Sequence, residues 1–429
     1  MTLPSLALGL LSTVGQAETA PLPDVYALRV GRAETIANGT LEHAVVLVES
    51  GKITVVGEDL PIERGIAVVD LPHAVLLPGL VVCRSRIGLD SRGGTGARAE
   101  ARVTGELFPA LDVWEDVLEH GVTTLGLYPA GAGIPGQAAA IRPAGETVEE
   151  MLVADSAYLW MTVASDRNAK KLLTDAFEKV DKYLEKVEKE REKFVEAQEK
   201  KKGKKKEEEK KEEEPKPEEG AKPAAKDEKP AEPGDGFEPP VPDPDVLPLV
   251  RLLAGDLRAV IGFRKAGDYL HLLDVLGERE FEWDLQIDLR DELDLFYIAD
   301  KLGERAVRVV MDPVITAHPG TRRDRNLPAE LATAGAKLAL VPRVDSPDGC
   351  EAWRHEVGQL VKFGLDRQVA LRAMTLEPAA VLGLADRLGS LEAGKDANFV
   401  LYDGDPFEPG TERIAVVLEG ELVVGELQD

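Results

Sequence analysis

Between two β-patterned ends, this chain alternates strand-like with helix-like segments. That alternation limits its possible folds more than any other feature. The runs GVTTLGLYP, LRAVIGF, RAVRVVMDP and AKLALVPRVD read as strands, and Glu292 to Leu302 and Glu356 to Phe363 read as helices. Parallel strands need a crossover long enough to hold a helix, so the alternation predicts parallel βα units. The ends differ. HAVVLVES and GKITVVGE near the start, and DANFVLYDGDPF and RIAVVLEGELVVGE near the finish, alternate with period two around Gly-containing turns. They predict one small β module assembled from both termini. A chain of 429 residues has room for a barrel of ~250 residues and such a module.

The middle interrupts this pattern. Leu173, Phe177, Val180, Leu184, Val187 and Phe194 recur at steps of four, three, four, three and seven, with Arg191 in the vacant seam position. This is a heptad seam on a charged helix, suited to a protein partner, a second copy of the chain or the chain's own domain. The blocks KKKGKKKEEEKKEEEPKPEEG and a Pro/Ala/Lys/Glu stretch follow, to about Pro244. They carry too little apolar surface to offset the entropy of ordering, so disorder is expected there. Lys170 to Asp235 holds 20 basic and 21 acidic side chains, leaving 32 against 57 elsewhere in a chain of net charge −26. The folded part is therefore acidic, which excludes a nucleic-acid footprint.

The implied division is a possible signal peptide at 1–20, β module at 21–78, barrel at 79–167, charged insertion at 168–245, barrel again at 246–388, and β module at 389–429. Leu3 to Val14 is apolar, too short to span a bilayer, and is followed by Gly15 and Ala17. It predicts export to a periplasmic or extracellular location, although the segment has no basic start; without export the protein would be cytoplasmic. No apolar run is long enough to cross a membrane. Cys83 and Cys350 form no CxxC spacing and no disulfide framework, and are expected as buried thiols.

YALRVGRAETIANGTLEHAVVLVESGKITVVGEDLP, running on to LPHAVLLPGLV, resembles the start of metal-dependent amidohydrolases of the imidazolonepropionase-like branch. ALRAMTLEPAAVLGLADRLGSLEAGKDANFVLYDGDPF resembles their C-terminus, above all in the run Gly389 to Ala397, and GVTTLGLYPAGAGIPGQAAAIRPAG resembles their second barrel unit. The resemblance implies a (β/α)8 TIM-type barrel with a small β-sandwich formed by N- and C-terminal segments, the site lying at the C-terminal ends of the strands. It also implies a Zn-type cation held by a His-x-His pair after Pro-Gly-Leu, the metal supplying hydroxide and polarising the scissile carbonyl.

Here the chain departs from the family. Arg84 and Arg86 stand at the His-x-His positions, and arginine offers only donors and a charge that repels a metal. Gly262 and Arg264 occupy the next expected histidine positions, and IDLRDEL contains no histidine. The family's final Asp falls on Arg343, with Asp345 two residues on. Of the six histidines, His43 and His73 lie in the terminal module, His120 ends a helix, and His271 and His355 fall within helical patterns. Only His318 is placed to reach a barrel mouth. The ligands for Zn are thus absent and no cofactor is expected. Arg84, Arg86, Arg264 and Arg343 form a candidate cluster, with Asp90, Asp268 or Asp345 as acidic partners. The cluster is either a salt-bridged plug or a pocket for a carboxylate or phosphate.

Three functions follow: an amidohydrolase-like pseudoenzyme with a binding or structural role, a hydrolase of non-peptide carbon–nitrogen bonds using Asp345 or His318, or an anion-binding protein. Partners would be a small anion, a protein docking on the 168–200 helix, or a second copy. Cys83 is placed beside Arg84 but on the opposite strand face, which argues against a catalytic thiol.

Overall fold

The computed structural model describes residues 21–212, 237–287, 294–305, 307–318 and 320–427. The expected signal segment, 1–20, lies outside them.

Both termini do build one module. Val25–Glu34, Thr40–Glu49, Lys52–Glu58 and Ala67–Pro78 join Phe399–Tyr402, Arg413–Leu418 and Glu421–Gly425. They form a single seven-stranded ladder rather than two separately bonded layers. The joint is Ala67–Pro78, which pairs parallel with Val25–Glu34 and antiparallel with Phe399–Tyr402. Its alternating apolar face, including Leu28, Val46, Leu76 and Phe399, forms a core of its own. The Gly389 to Ala397 run staples the two ends. Asp396 accepts from Lys52 at 2.7 Å and from Arg387 at 2.7 Å, while the buried Lys395 ammonium caps the Ala385 carbonyl at 2.6 Å.

The second sheet has eight strands in the order Lys337–Leu340, Arg308–Met311, Trp283–Ile287, Ala259–Phe263, Leu152–Thr162, Gly136–Ile141, Val122–Leu127, Leu80–Ser85. It curls toward a barrel but departs from (β/α)8. Gly136–Ile141 runs antiparallel to both neighbours. The eight residues separating it from Val122–Leu127 are too few for a helical crossover, so the chain must turn back. The first and last strands share no ladder among the described residues. Gly79 sets the entry to the first strand: a Cβ there would meet the Thr123 hydroxyl at 2.1 Å, so only glycine lets the two chains approach.

The insertion differs from expectation in one way. The helix Arg167–Glu212 continues through the Lys/Glu blocks expected to be disordered, because straight-chain Lys and Glu are good helix formers and i,i+4 pairs such as Lys200–Glu196 support them. The remainder of the tract, 213–236, lies outside the described residues. Of the uses open to the heptad seam, packing on the chain's own domain accounts for most of it. Leu173, Phe177 and Val180 are buried against the barrel core, Phe194 packs on Phe237, and Tyr183 donates to the Pro240 carbonyl at 2.9 Å.

Candidate functional site

Alternation along Leu80–Ser85 sends Arg84 and Arg86 to one side and Ser85 to the other, and both guanidiniums reach the residue that ends the second strand, Tyr128. Arg84 Nη2 donates to the Tyr128 hydroxyl at 2.8 Å, and its Cζ lies 4.5 Å from that ring and 5.6 Å from the Trp160 ring. Arg86 Nη1 donates to the Tyr128 carbonyl at 2.9 Å, and Nη2 to the Ser91 carbonyl at 2.8 Å. Tyr128 and Trp160 meet edge to face, centroids 5.2 Å apart. Two like charges thus share one aromatic wall, each guanidinium using carbonyl or hydroxyl acceptors instead of a carboxylate.

Trp160 is 3% exposed and fills the mouth's interior. Its ring passes over Gly262, where an added Cβ would meet Cη2 at 2.6 Å and the Gln286 amide oxygen at 3.0 Å. One position expected to hold a histidine is therefore taken by the space of a neighbouring indole. Tyr158, two residues back on the same strand face, donates to the Cys83 carbonyl at 3.1 Å, and its burial holds the phenol well above its ordinary pKa.

Asp345 closes the open side of the sheet. Its carboxylate accepts from the Ser85 hydroxyl and from the Arg86 backbone N–H, both at 2.7 Å. It is thus the one expected acidic partner that joins the cluster, through backbone and hydroxyl rather than guanidinium. Asp268 instead caps the helix Ala266–Leu276, accepting from the Arg264 and Lys265 N–H groups. Asp90 is exposed.

Arg264 follows its strand directly but is exposed, and the exposed Arg343 lies near Glu356, where its charge opposes the upward push of burial on that carboxyl. Arg84 and Arg86 thus share the Tyr128 wall, while Arg264 and Arg343 are exposed side chains. His318 sits in the small hairpin Thr316–Ala317/Asp324–Arg325, against Arg325 at 3.1 Å and the Phe296 ring at 5.2 Å. Burial, and then the Asp284 charge, pushes the Cys83 thiol up, and burial pushes Cys350 up to about 12, so neither is a ready nucleophile. Among the described residues no group of three or more His, Cys, Asp and Glu side chains is arranged to hold a metal ion. The donor set at the first strand's end, two guanidiniums and a tyrosine, does not fit one either.

Comparison with known proteins agrees with this architecture. The amidohydrolase family model matches residues 358–424. An amidohydrolase structure from Thermotoga maritima superposes with TM-score 0.72 at 22% identity, covering 94% of this chain and 100% of its own. Imidazolonepropionase of Phocaeicola vulgatus is 43% identical over 60 residues, 13% of this chain and 14% of its own length. That of Thermoplasma acidophilum is 29% identical over 140 residues, 30% and 31% of the two chains. The chain thus spans under a third of the curated relatives it matches. The overall fold is that of an amidohydrolase structure, and the C-terminal segment is similar in sequence to the amidohydrolase family and to imidazolonepropionases.

Proposed function

We propose that this protein keeps the hydrolase scaffold without its metal chemistry and serves in binding or structure. One observation carries the reading: the Arg84 guanidinium lies 4.5 Å from the Tyr128 ring and 5.6 Å from Trp160, at the strand end where the resemblance expects a metal-binding histidine pair. Aromatic packing and two positive charges occupy that end of the barrel, and a cation placed there would have to displace them. The alternative, hydrolysis of a non-peptide carbon–nitrogen bond without metal, would call on Asp345. Both of its oxygens are already engaged by Ser85 and Arg86, and no strong electrophile faces it.

The test is metal content by elemental mass spectrometry, on protein purified without chelator and then offered Zn and Mn. The expected result is a stoichiometry far below one per chain and no thermal stabilisation by either metal. A tightly held metal near one per chain would overturn the reading.

A further inference from the structure

The opposite, N-terminal end of the barrel holds a buried carboxyl with an unmet oxygen. Asp284, on the strand Trp283–Ile287, is 3% exposed. Arg308 approaches one carboxyl oxygen at 3.5 Å, and the other, Oδ2, has no hydrogen-bond partner among the described residues. A buried acceptor left bare is costly enough to need an occupant. Asp284 lines a cavity of about 400 Å³ together with Arg258, Glu282, Trp283, Arg305 and Arg308.

The charges around this cavity do not cancel. Arg258 is matched by Glu282 at 2.5 Å. Glu377 is shared by Arg308 and Arg372, each at 3.1 Å, so this trio keeps one positive charge. Arg305 makes no ion pair among the described residues and lies 5.7 Å from the Trp283 ring, which orients its guanidinium. With Asp284 neutral, two positive charges remain.

We propose that this N-terminal mouth binds a small tetrahedral oxyanion of the sulfate or phosphate class between Arg305, Arg308 and Asp284. Nothing in this inference depends on the state of the opposite mouth. The carboxyl takes part as a donor. Burial pushes Asp284 up, against the lowering effect of Arg258 and Arg308, and its protonated Oδ2 gives the O–H that an anion accepts. Around it stand Arg258, Arg308 with Glu377 behind it, Cys83 across the barrel interior, and Glu282 and Arg305 at the rim. The anion favours the protonated carboxyl, so whatever fraction of Asp284 is ionised in the free protein takes up a proton from solvent on binding.

The experiment is calorimetric titration of the full chain with sulfate, which does not titrate near neutrality, from about pH 5.5 to 8 at ionic strength held constant with chloride. Affinity should rise as pH falls, by up to about tenfold per unit for one linked proton. Arg305→Gln changes an exposed side chain and should weaken sulfate by about tenfold, as loss of a charge-assisted contact does. Asp284→Asn keeps an N–H donor at every pH and should remove the pH dependence. A phosphomonoester such as glycerol phosphate binding more tightly than sulfate identifies an esterified ligand, and equal binding a free oxyanion. The proposal is overturned if sulfate does not bind, if R305Q binds it unchanged, if D284N keeps the wild-type pH slope, or if Arg84→Met, at the other mouth, abolishes binding while R305Q does not.

Discussion

If Trp160 fills the barrel mouth as described, its contact with Gly262 has a measurable energy. The perturbation is Gly262→Ala. Its added Cβ would stand 2.6 Å from Trp160 Cη2, nearer than side chains tolerate, and 3.0 Å from the Gln286 amide oxygen, a tight contact. Neither neighbour can move freely. The indole is 3% exposed and wedged against Tyr128, with the Arg84 guanidinium 5.6 Å from its ring. Overpacking of this kind costs about 1–3 kcal/mol. Trp160→Ala alone empties the site and costs about 3–5 kcal/mol. In the double variant the alanine methyl no longer meets the indole and keeps only the milder Gln286 contact, so the two costs must not add. The combination should be close in stability to Trp160→Ala alone, a coupling of about 1–3 kcal/mol, well above the ~0.5 kcal/mol scatter of independent sites. Urea unfolding followed by far-UV circular dichroism, which does not rely on the deleted indole, gives the three differences. Additivity within that scatter would mean the indole does not lie over Gly262, and the account of a filled mouth would fail.

Further outcomes follow from the same structure. Asp345→Ala removes the acceptor for the Ser85 hydroxyl and the Arg86 N–H and should lower stability by about 1.5–3 kcal/mol, while Asp345→Asn, which keeps one acceptor, should lose less; denaturant midpoints decide. Burial pushes the Asp405 carboxyl up, but the Phe407 N–H, Arg367 and Arg32 outweigh it and hold it below the ordinary range. A depressed carboxyl stabilises fully above its unfolded pKa, and that stability is lost as pH falls through the folded value. Asp405→Asn should therefore flatten the loss of stability below about pH 4, read from urea midpoints against pH. Phe177→Ala deletes the buried ring that anchors the Arg167–Glu212 helix against Phe281 and should cost about 3–5 kcal/mol, with faster proteolysis of that helix.

Much of the scaffold was legible because its signals are local. Period-two alternation marked both terminal β segments, and the Gly389 to Ala397 run marked their meeting point. Its Lys395 and Asp396 prove to be the polar pegs that fix it. Alternation alone placed Arg84 and Arg86 on one face, and His120 does end its helix. What the sequence did not show is what those arginines touch. Tyr128 and Trp160 come from two other strands, and no spacing rule brings a distant aromatic ring over a guanidinium. The antiparallel strand Gly136–Ile141 was hidden by its composition: GQAAAI suits either direction, and only the short link before it forces the reversal. The Lys/Glu blocks were read as disordered from their lack of apolar surface, yet the helix runs on to Glu212, because helix propensity and i,i+4 pairing need no buried face.

The hydrogen bonds at the mouth explain why two arginines are compatible with a folded barrel. The sheet lacks a ladder between its first and last strands, so those ends need another tie. Arg84 and Arg86 bind the hydroxyl and carbonyl of Tyr128, fixing the first strand to the second. Ser85 and the Arg86 N–H bind Asp345, fixing the first strand to the segment after the last. One tripeptide thus spans the gap on both sides, with its charged faces turned to aromatic and carbonyl groups and its hydroxyl face to the carboxylate. A like-charged pair in a low-dielectric site is normally costly. Here the cost is limited because each guanidinium is hydrogen-bonded through its terminal nitrogens and faces the Tyr128 ring, with Arg84 Nε left without a partner among the described residues. Arg84, Ser85 and Arg86 therefore act as fasteners, and at the barrel's other end a guanidinium without an ion pair and an unmet carboxyl oxygen remain among the described residues.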